Sequence, residues 1–247
     1  MRRAWYWISQ QGLSTQSFYK TSGRLLPFIT AGFLVLFLYG LIAGLFFAPA
    51  DYQQGDGFRI IYVHVPSAFA AMAIYFCMTI CAVLTLVWRI KIASLCLTAS
   101  TSLGAGFTFL ALVTGSIWGK PMWGTWWIWD ARLTSVLILF FIYGGLIALQ
   151  SIIANKQHRD RAVSLMTLVG AINLPIIHYS VIWWSTLHQG ATLSLFSESL
   201  IAPAMLRPLL AMIAAFMLFY GMIVCLRMRN TILVTDMKTE WVKKVLQ

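Results

Sequence analysis

Six apolar runs, each long enough to cross a bilayer, set the terms on which this chain can fold. They lie near Leu25–Ala48, Tyr62–Val87, Ile92–Ile117, Leu133–Ala154, Ala162–Trp184 and Pro208–Leu226. A helix needs about 20 apolar residues to span the hydrocarbon core. Within lipid the backbone has no water to bond, so runs of this length must satisfy themselves as helix. Barrel strands would alternate over about 10 residues each, and no such alternation occurs. Composition agrees: 60% of the 247 residues are hydrophobic and only 10% are charged, against roughly 25% charged in a soluble domain. The expected fold is all-α, a polytopic membrane protein of six transmembrane helices. A soluble enzyme, a disordered chain and a coiled coil are excluded.

The net charge of +11 would suggest nucleic acid in a soluble protein, but its distribution says otherwise. Arg2, Arg3, Lys20 and Arg24 precede the first run; Arg89 and Lys91 follow the second; Lys156, Arg159 and Arg161 follow the fourth; Arg227, Arg229, Lys238, Lys243 and Lys244 follow the sixth. The alternate loops hold only Arg59, Lys120, Arg132 and Arg207, balanced by Asp51, Asp56, Asp130 and Glu198. The positive-inside rule therefore places both termini in the cytoplasm. It directs the loops at about 49–61, 118–132 and 185–207 outward. The excess charge orients the chain towards a lipid membrane and calls for no nucleic acid. Two arginines followed by Trp5, Tyr6 and Trp7 lack the apolar core of a cleavable signal. With no repeat or long linker, one membrane domain at 25–226 is expected. A cytoplasmic or interfacial segment at 1–24 precedes it, and a cytoplasmic tail at 227–247 follows.

The outward loop at 118–134 carries five of the 11 tryptophans: Trp118, Trp123, Trp126, Trp127 and Trp129. If the stretch after Pro121 is helical, Trp123, Trp126, Trp127 and Asp130 share one face. They then form a flat apolar shelf ending in a carboxylate, with Trp129 turned elsewhere. An interfacial aromatic belt is the bland alternative. A belt scatters its aromatics and does not ask for Gly119, Pro121 and Gly124 among them. The cluster, with Asp130 and Arg132 adjoining, favours a platform for a large, flat, mostly apolar ligand.

Four histidines divide by side. His158 lies in a basic cytoplasmic loop, and His178 lies inside the fifth run beyond Pro175. His64 opens the second run, with Pro66 fitting a first helical turn, and His188 follows the fifth. His64 and His188 both belong to the outward face. Two imidazoles beside an aromatic platform meet the needs of haem, whose iron takes axial nitrogens and whose ring stacks on aromatics. Zinc, which asks for three or four ligands, and purely structural histidines remain the competing readings. Cys77, Cys81, Cys96 and Cys225 fall in or beside the apolar runs. They form no Cys-x-x-Cys-His motif, so covalently attached c-type haem is not expected.

The run Trp123-Gly-Thr-Trp-Trp-Ile-Trp-Asp-Ala-Arg-Leu-Thr134 resembles the tryptophan-rich (WWD) signature of the haem-handling proteins of cytochrome c biogenesis. Six spans, an inward N-terminus and a histidine flanking the motif on either side extend the resemblance to the CcmC (haem exporter protein C) family. It implies haem b held at the outer, periplasmic face of the bacterial inner membrane, with His64 and His188 as axial ligands. The motif, with Trp123, Trp126, Trp127, Trp129 and Asp130, would meet the macrocycle, and Trp118 and Arg132 are added to the expected haem-binding residues. The implied recipient is the haem chaperone CcmE, and the implied partners are CcmA, CcmB and CcmD. Separately, Arg132 or Lys120 is a candidate for the propionates, with Asp130 orienting Arg132 by a charge-assisted hydrogen bond.

No nucleophile–base set or paired carboxylates assemble on either face, and no Gly-x-x-x-x-Gly-Lys-Ser/Thr loop occurs. The expectation is a haem-binding and haem-delivery protein, not an enzyme. Two rivals stand beside it. One is a transmembrane haem transporter using a fifth span broken at Pro175. The other is a b-type electron-transfer protein.

Overall fold

The computed structural model describes residues 14–184 and 201–246, and all six expected spans appear in it as helices. The first is α1, Thr15–Ile42, continued by a wide π turn at Ala43–Phe47. It starts ten residues before the apolar run because the Ser14 hydroxyl accepts from Ser17 N at 3.1 Å and caps it. A 3-10 turn at Asp56–Ile60 leads into α2, Ile61–Trp88, and α3 is Lys91–Trp123. Next come α4, Ala131–Ile152, and a fifth span divided into α5, Lys156–Gly170, and α6, Asn173–Trp183. The sixth span is α7, Pro203–Thr235, and a short α8, Glu240–Leu246, closes the described chain.

The division of the fifth span has a local cause. Pro175 has no N–H to give and its ring would meet the carbonyl of Ala171, so the ladder opens at 171–172. The Asn173 side chain, just past the break, ties α6 to α4 by donating to Ser135 O at 2.8 Å. Pro66 departs from expectation: α2 begins at Ile61, which puts the proline in the second turn. The 3-10 turn before it extends the helix backwards, and Ser67 Oγ donates to the Val63 carbonyl at 2.6 Å.

Lipid tails are as apolar as leucine, so packing shape and interhelical hydrogen bonds must hold the bundle together. The centre is α2 against α3, with α4 and α5 on one flank and α7 on the other; α1 rides on the outside of α7. Two buried tyrosines pin the middle. Tyr143 OH donates to Ala71 O at 3.0 Å, and Tyr75 OH donates to Thr167 O at 3.1 Å. Their rings meet edge to face at 5.2 Å. The Tyr143 phenol lies where a side chain at position 104 would stand, so Gly104 is what lets α4 approach α3.

At one end, Asp236 takes hydrogen bonds from Lys91 Nζ and Thr15 Oγ1, each at 2.6 Å. The carboxylate thus joins the start of α1, the start of α3 and the end of α7. This is the basic end of the molecule, and the tryptophan loop and His64 lie at the other.

Candidate functional site

His64 projects from the first turn of α2 against α3. Its Nδ1 is 3.1 Å from Thr114 Oγ1, and its ring packs against Gly115, where an added Cβ would be 2.9 Å from Cε1. Thr114 Oγ1 donates to Leu110 O at 2.6 Å. The hydroxyl therefore accepts at its other face, which makes Nδ1 the protonated nitrogen and gives Nε2 the lone pair. Trp118, one turn beyond Thr114, meets the imidazole edge to face at 5.6 Å. Its indole N–H is fixed by Gln54 Oε1 at 2.8 Å, from the loop between α1 and α2. Half-buried His64 is thus held on three sides, with its tautomer defined by its neighbour.

The tryptophan shelf does not form as expected. α3 continues through Pro121 and stops at Trp123, because Gly124 turns left-handed (φ 75°) and its N–H returns to Lys120 O at 3.0 Å. The chain bends at 124–126 and runs on without helix to Asp130, whose own backbone is extended and whose Oδ1 caps α4 through Leu133 N at 2.7 Å. The helical face shared by Trp123, Trp126, Trp127 and Asp130 is therefore absent. The indoles part company instead. Trp123 lies back over Gly119, Trp126 is 56% exposed and Trp129 is 76% exposed.

Trp127 stands edge to face with Trp129 at 5.5 Å. It shares a cleft with Val113, Ser116 and Ile117 of α3 and with Phe140 of α4. Its Nε1 is buried without a hydrogen-bond partner among the described residues. At about 100° per residue, the cleft positions 109, 112, 113 and 116 of α3 face away from Thr114 and Trp118, with Ile117 at the edge between the two faces. The structure brings His64 and Trp118 together and places Trp127 and Trp129 across the helix from them.

Of the cations, Arg132 donates to Ser180 Oγ at 3.3 Å and to the His178 carbonyl at 3.4 Å. These bonds couple α4 to α6, and the Asp130 carboxylate also attracts the guanidinium. Lys120 Nζ donates to Gly124 O at 2.9 Å and closes the end of α3. Arg59 pairs with Asp56 at 2.9 Å and donates to Gly44 O at 2.8 Å. His158 is exposed. His178 is also exposed, at the middle of α6, with its ring edge to face on Tyr179 at 4.8 Å. His188 lies outside the described residues. Among the described residues no three His, Cys, Asp or Glu side chains gather as for a metal ion, so zinc finds no set of ligands there.

The CcmC family model, described as heme exporter protein C, matches residues 8–243. "Heme exporter protein C" of Escherichia coli (strain K12) is 48% identical over 228 residues, covering 92% of both chains. Its namesake in Haemophilus influenzae is 47% identical over 243 residues, 98% of each. A "putative cytochrome c biosynthesis ccmC-like mitochondrial protein" of Marchantia polymorpha is 47% identical over 186 residues, covering 75% of this chain and 78% of its own. The chain belongs to the CcmC family.

Three residues of this CcmC-family site escape a reading of the sequence: Thr114, Gly115 and Gln54. Thr114 and Trp118 are spaced one helical turn apart, which was visible. That His64 would lie between them depends on which helix faces which. A second aromatic group, with Tyr179 stacked on Trp183 at 5.2 Å and 24°, lies on the last turns of α6. It was likewise concealed in an apolar run.

Proposed function

We propose that this chain binds haem b at the outer, periplasmic face of the bacterial inner membrane and hands it to the haem chaperone CcmE, working with CcmA, CcmB and CcmD. It does so as a binding and delivery protein, without chemistry on its cargo. Family membership supports the haem-handling role, and the names of its relatives point to haem export and cytochrome c biosynthesis. The observation that carries the reading is the posture of His64: Nδ1 held by Thr114, ring seated on Gly115, edge set against Trp118. A histidine whose Nδ1 is held by a neighbour is oriented to ligate an iron through Nε2.

His188 supplies the second axial nitrogen. Trp118 flanks the ligand, while exposed Trp126 and Trp129 meet the macrocycle or the incoming chaperone. Arg132 is committed to α6, so its part with the propionates is to hold the outer end of α6 in place. A delivery protein must also release its cargo, which sets an upper bound on useful affinity.

The test is spectroscopic. Purified protein should carry low-spin haem b. His64→Ala and His188→Ala should each convert it to a five-coordinate form that free imidazole restores. Unchanged spectra in both variants would remove the axial assignment.

A further inference from the structure

At the basic end, well away from His64, a groove of about 340 Å³ runs between α1, the end of α7 and α8. Its floor is aromatic: Tyr19 and Trp241 meet at 5.7 Å and 54°. Arg229 is locked into it. The guanidinium lies 3.7 Å over the Tyr19 ring and donates to Tyr19 O and to Ser22 Oγ, the latter at 3.3 Å. Gly23 makes this possible, since a Cβ there would be 2.6 Å from Nη1. Exposed Lys20, Arg24 and Lys244 form the rim.

Among the described residues no carboxylate lines this groove. The two acids nearest in sequence are engaged elsewhere, Asp236 with Lys91 at 2.6 Å and Glu240 with Lys243 at 2.7 Å. Four cations around an apolar floor call for an amphiphilic anion.

Depth identifies which. The first span runs for 33 residues, Thr15–Phe47, or about 50 Å as helix, against a hydrocarbon core of about 30 Å. Its first two turns therefore stand at headgroup level, with Lys20 and Arg24 at the boundary. Residues 1–13 contain Arg2 and Arg3 and no acid, so they do not complement the groove. We propose that it binds an anionic phospholipid. The phosphate lies among Lys20, Arg24, Arg229 and Lys244, and an acyl chain descends along the exposed apolar face of α1 past Leu25 and Phe28. This inference is independent of the haem reading.

Native mass spectrometry of the purified full chain, offered phosphatidylglycerol or phosphatidylcholine in mild detergent, tests it. The wild type should retain phosphatidylglycerol in preference. Lys20→Gln, Arg24→Gln and Lys244→Gln together should cut that preference about tenfold or more. A control that neutralises Arg89, Arg161 and Lys238, equally exposed at the same end, should keep it. Lys244→Gln alone should give a smaller loss in the same direction, which serves if the triple variant is not monodisperse. Equal retention of the two lipids by the wild type would overturn the proposal. So would an equal loss in the control, or a triple variant that keeps its lipid and sheds an acidic protein instead.

Discussion

Gly115→Ala isolates the seat of His64, because α3 supplies its own control. A methyl at position 115 would stand 2.9 Å from His64 Cε1 and 3.5 Å from Nδ1, where carbon atoms at rest prefer about 3.5–4.0 Å. The ring must retreat by about 0.6–1 Å. That stretches the 3.1 Å contact with Thr114 Oγ1 beyond hydrogen-bonding range. Alanine gains about 0.8–1 kcal/mol over glycine in a helix. Overpacking costs about 1–3 kcal/mol, and the lost hydrogen bond costs about 0.5–1.5 kcal/mol. The balance is a destabilisation of roughly 1–3 kcal/mol.

Gly106→Ala, nine residues earlier on the same helix, meets nothing within 4 Å. It should keep the propensity gain and raise the apparent unfolding midpoint. Thermal unfolding of the two purified variants and their haem absorption spectra are the assay. Gly115→Ala should unfold earlier than wild type and retain less haem, while Gly106→Ala should retain wild-type haem. If Gly115→Ala is stabilised as Gly106→Ala is, with an unchanged spectrum, the imidazole does not rest on Gly115 and the account of its orientation fails.

Other variants separate structural from ligand roles. Trp127→Ala should cost about 1–3 kcal/mol of stability, because it empties the cleft beside Val113 and Phe140. Trp126→Ala, at a side chain 56% exposed, should leave the unfolding midpoint alone and lower haem retention or chaperone loading. Tyr143→Phe should lower stability by about 1 kcal/mol through loss of its bond to Ala71 O, with the haem spectrum unchanged. Asp236→Asn gives a pH-dependent difference. Burial raises the Asp236 carboxyl, but the hydrogen bonds from Lys91 and Thr15 outweigh it and hold it below its ordinary value. Its contribution is thus present above the unfolded value of about 3.9 and is lost as pH falls through the lower folded one. The Asn variant should be about 1 kcal/mol less stable at neutral pH, and the gap should close below about pH 4.

Span count, the grouping of basic residues at one end and the break at Pro175 were legible because each is a one-dimensional signal. Run length answers to bilayer thickness, and a proline removes a donor wherever it sits. The conformation of the tryptophan loop was misread through a pattern carried too far. Spacing by three and four residues from Trp123 to Asp130 suits a helix only if nothing stops it. Yet Gly124 sits where a left-handed residue ends helices, and Asp130 stands three residues before Leu133, where caps begin them. Those two residues were the stronger evidence. Read as stop and start, they predict the non-helical stretch that sends Trp127 into lipid-facing packing and leaves Trp126 and Trp129 exposed.

Thr114 and Gly115 are a different case. Their meaning depends on His64 arriving from another helix, and the only trace on α3 itself is a small and a hydroxylic residue side by side, one turn before a tryptophan. The functional consequence follows from that separation. Trp127 and its neighbour Trp129 lie across α3 from the orienting shell of His64, so the loop and that shell are distinct parts and should fail separately. Variants at 114 and 115 should alter the spectrum of the haem retained, whereas variants at 126 and 129 should alter how much is retained or delivered while the spectrum of the remainder stays wild type. A single phenotype for both groups would mean that the loop rearranges to meet His64 when haem is bound.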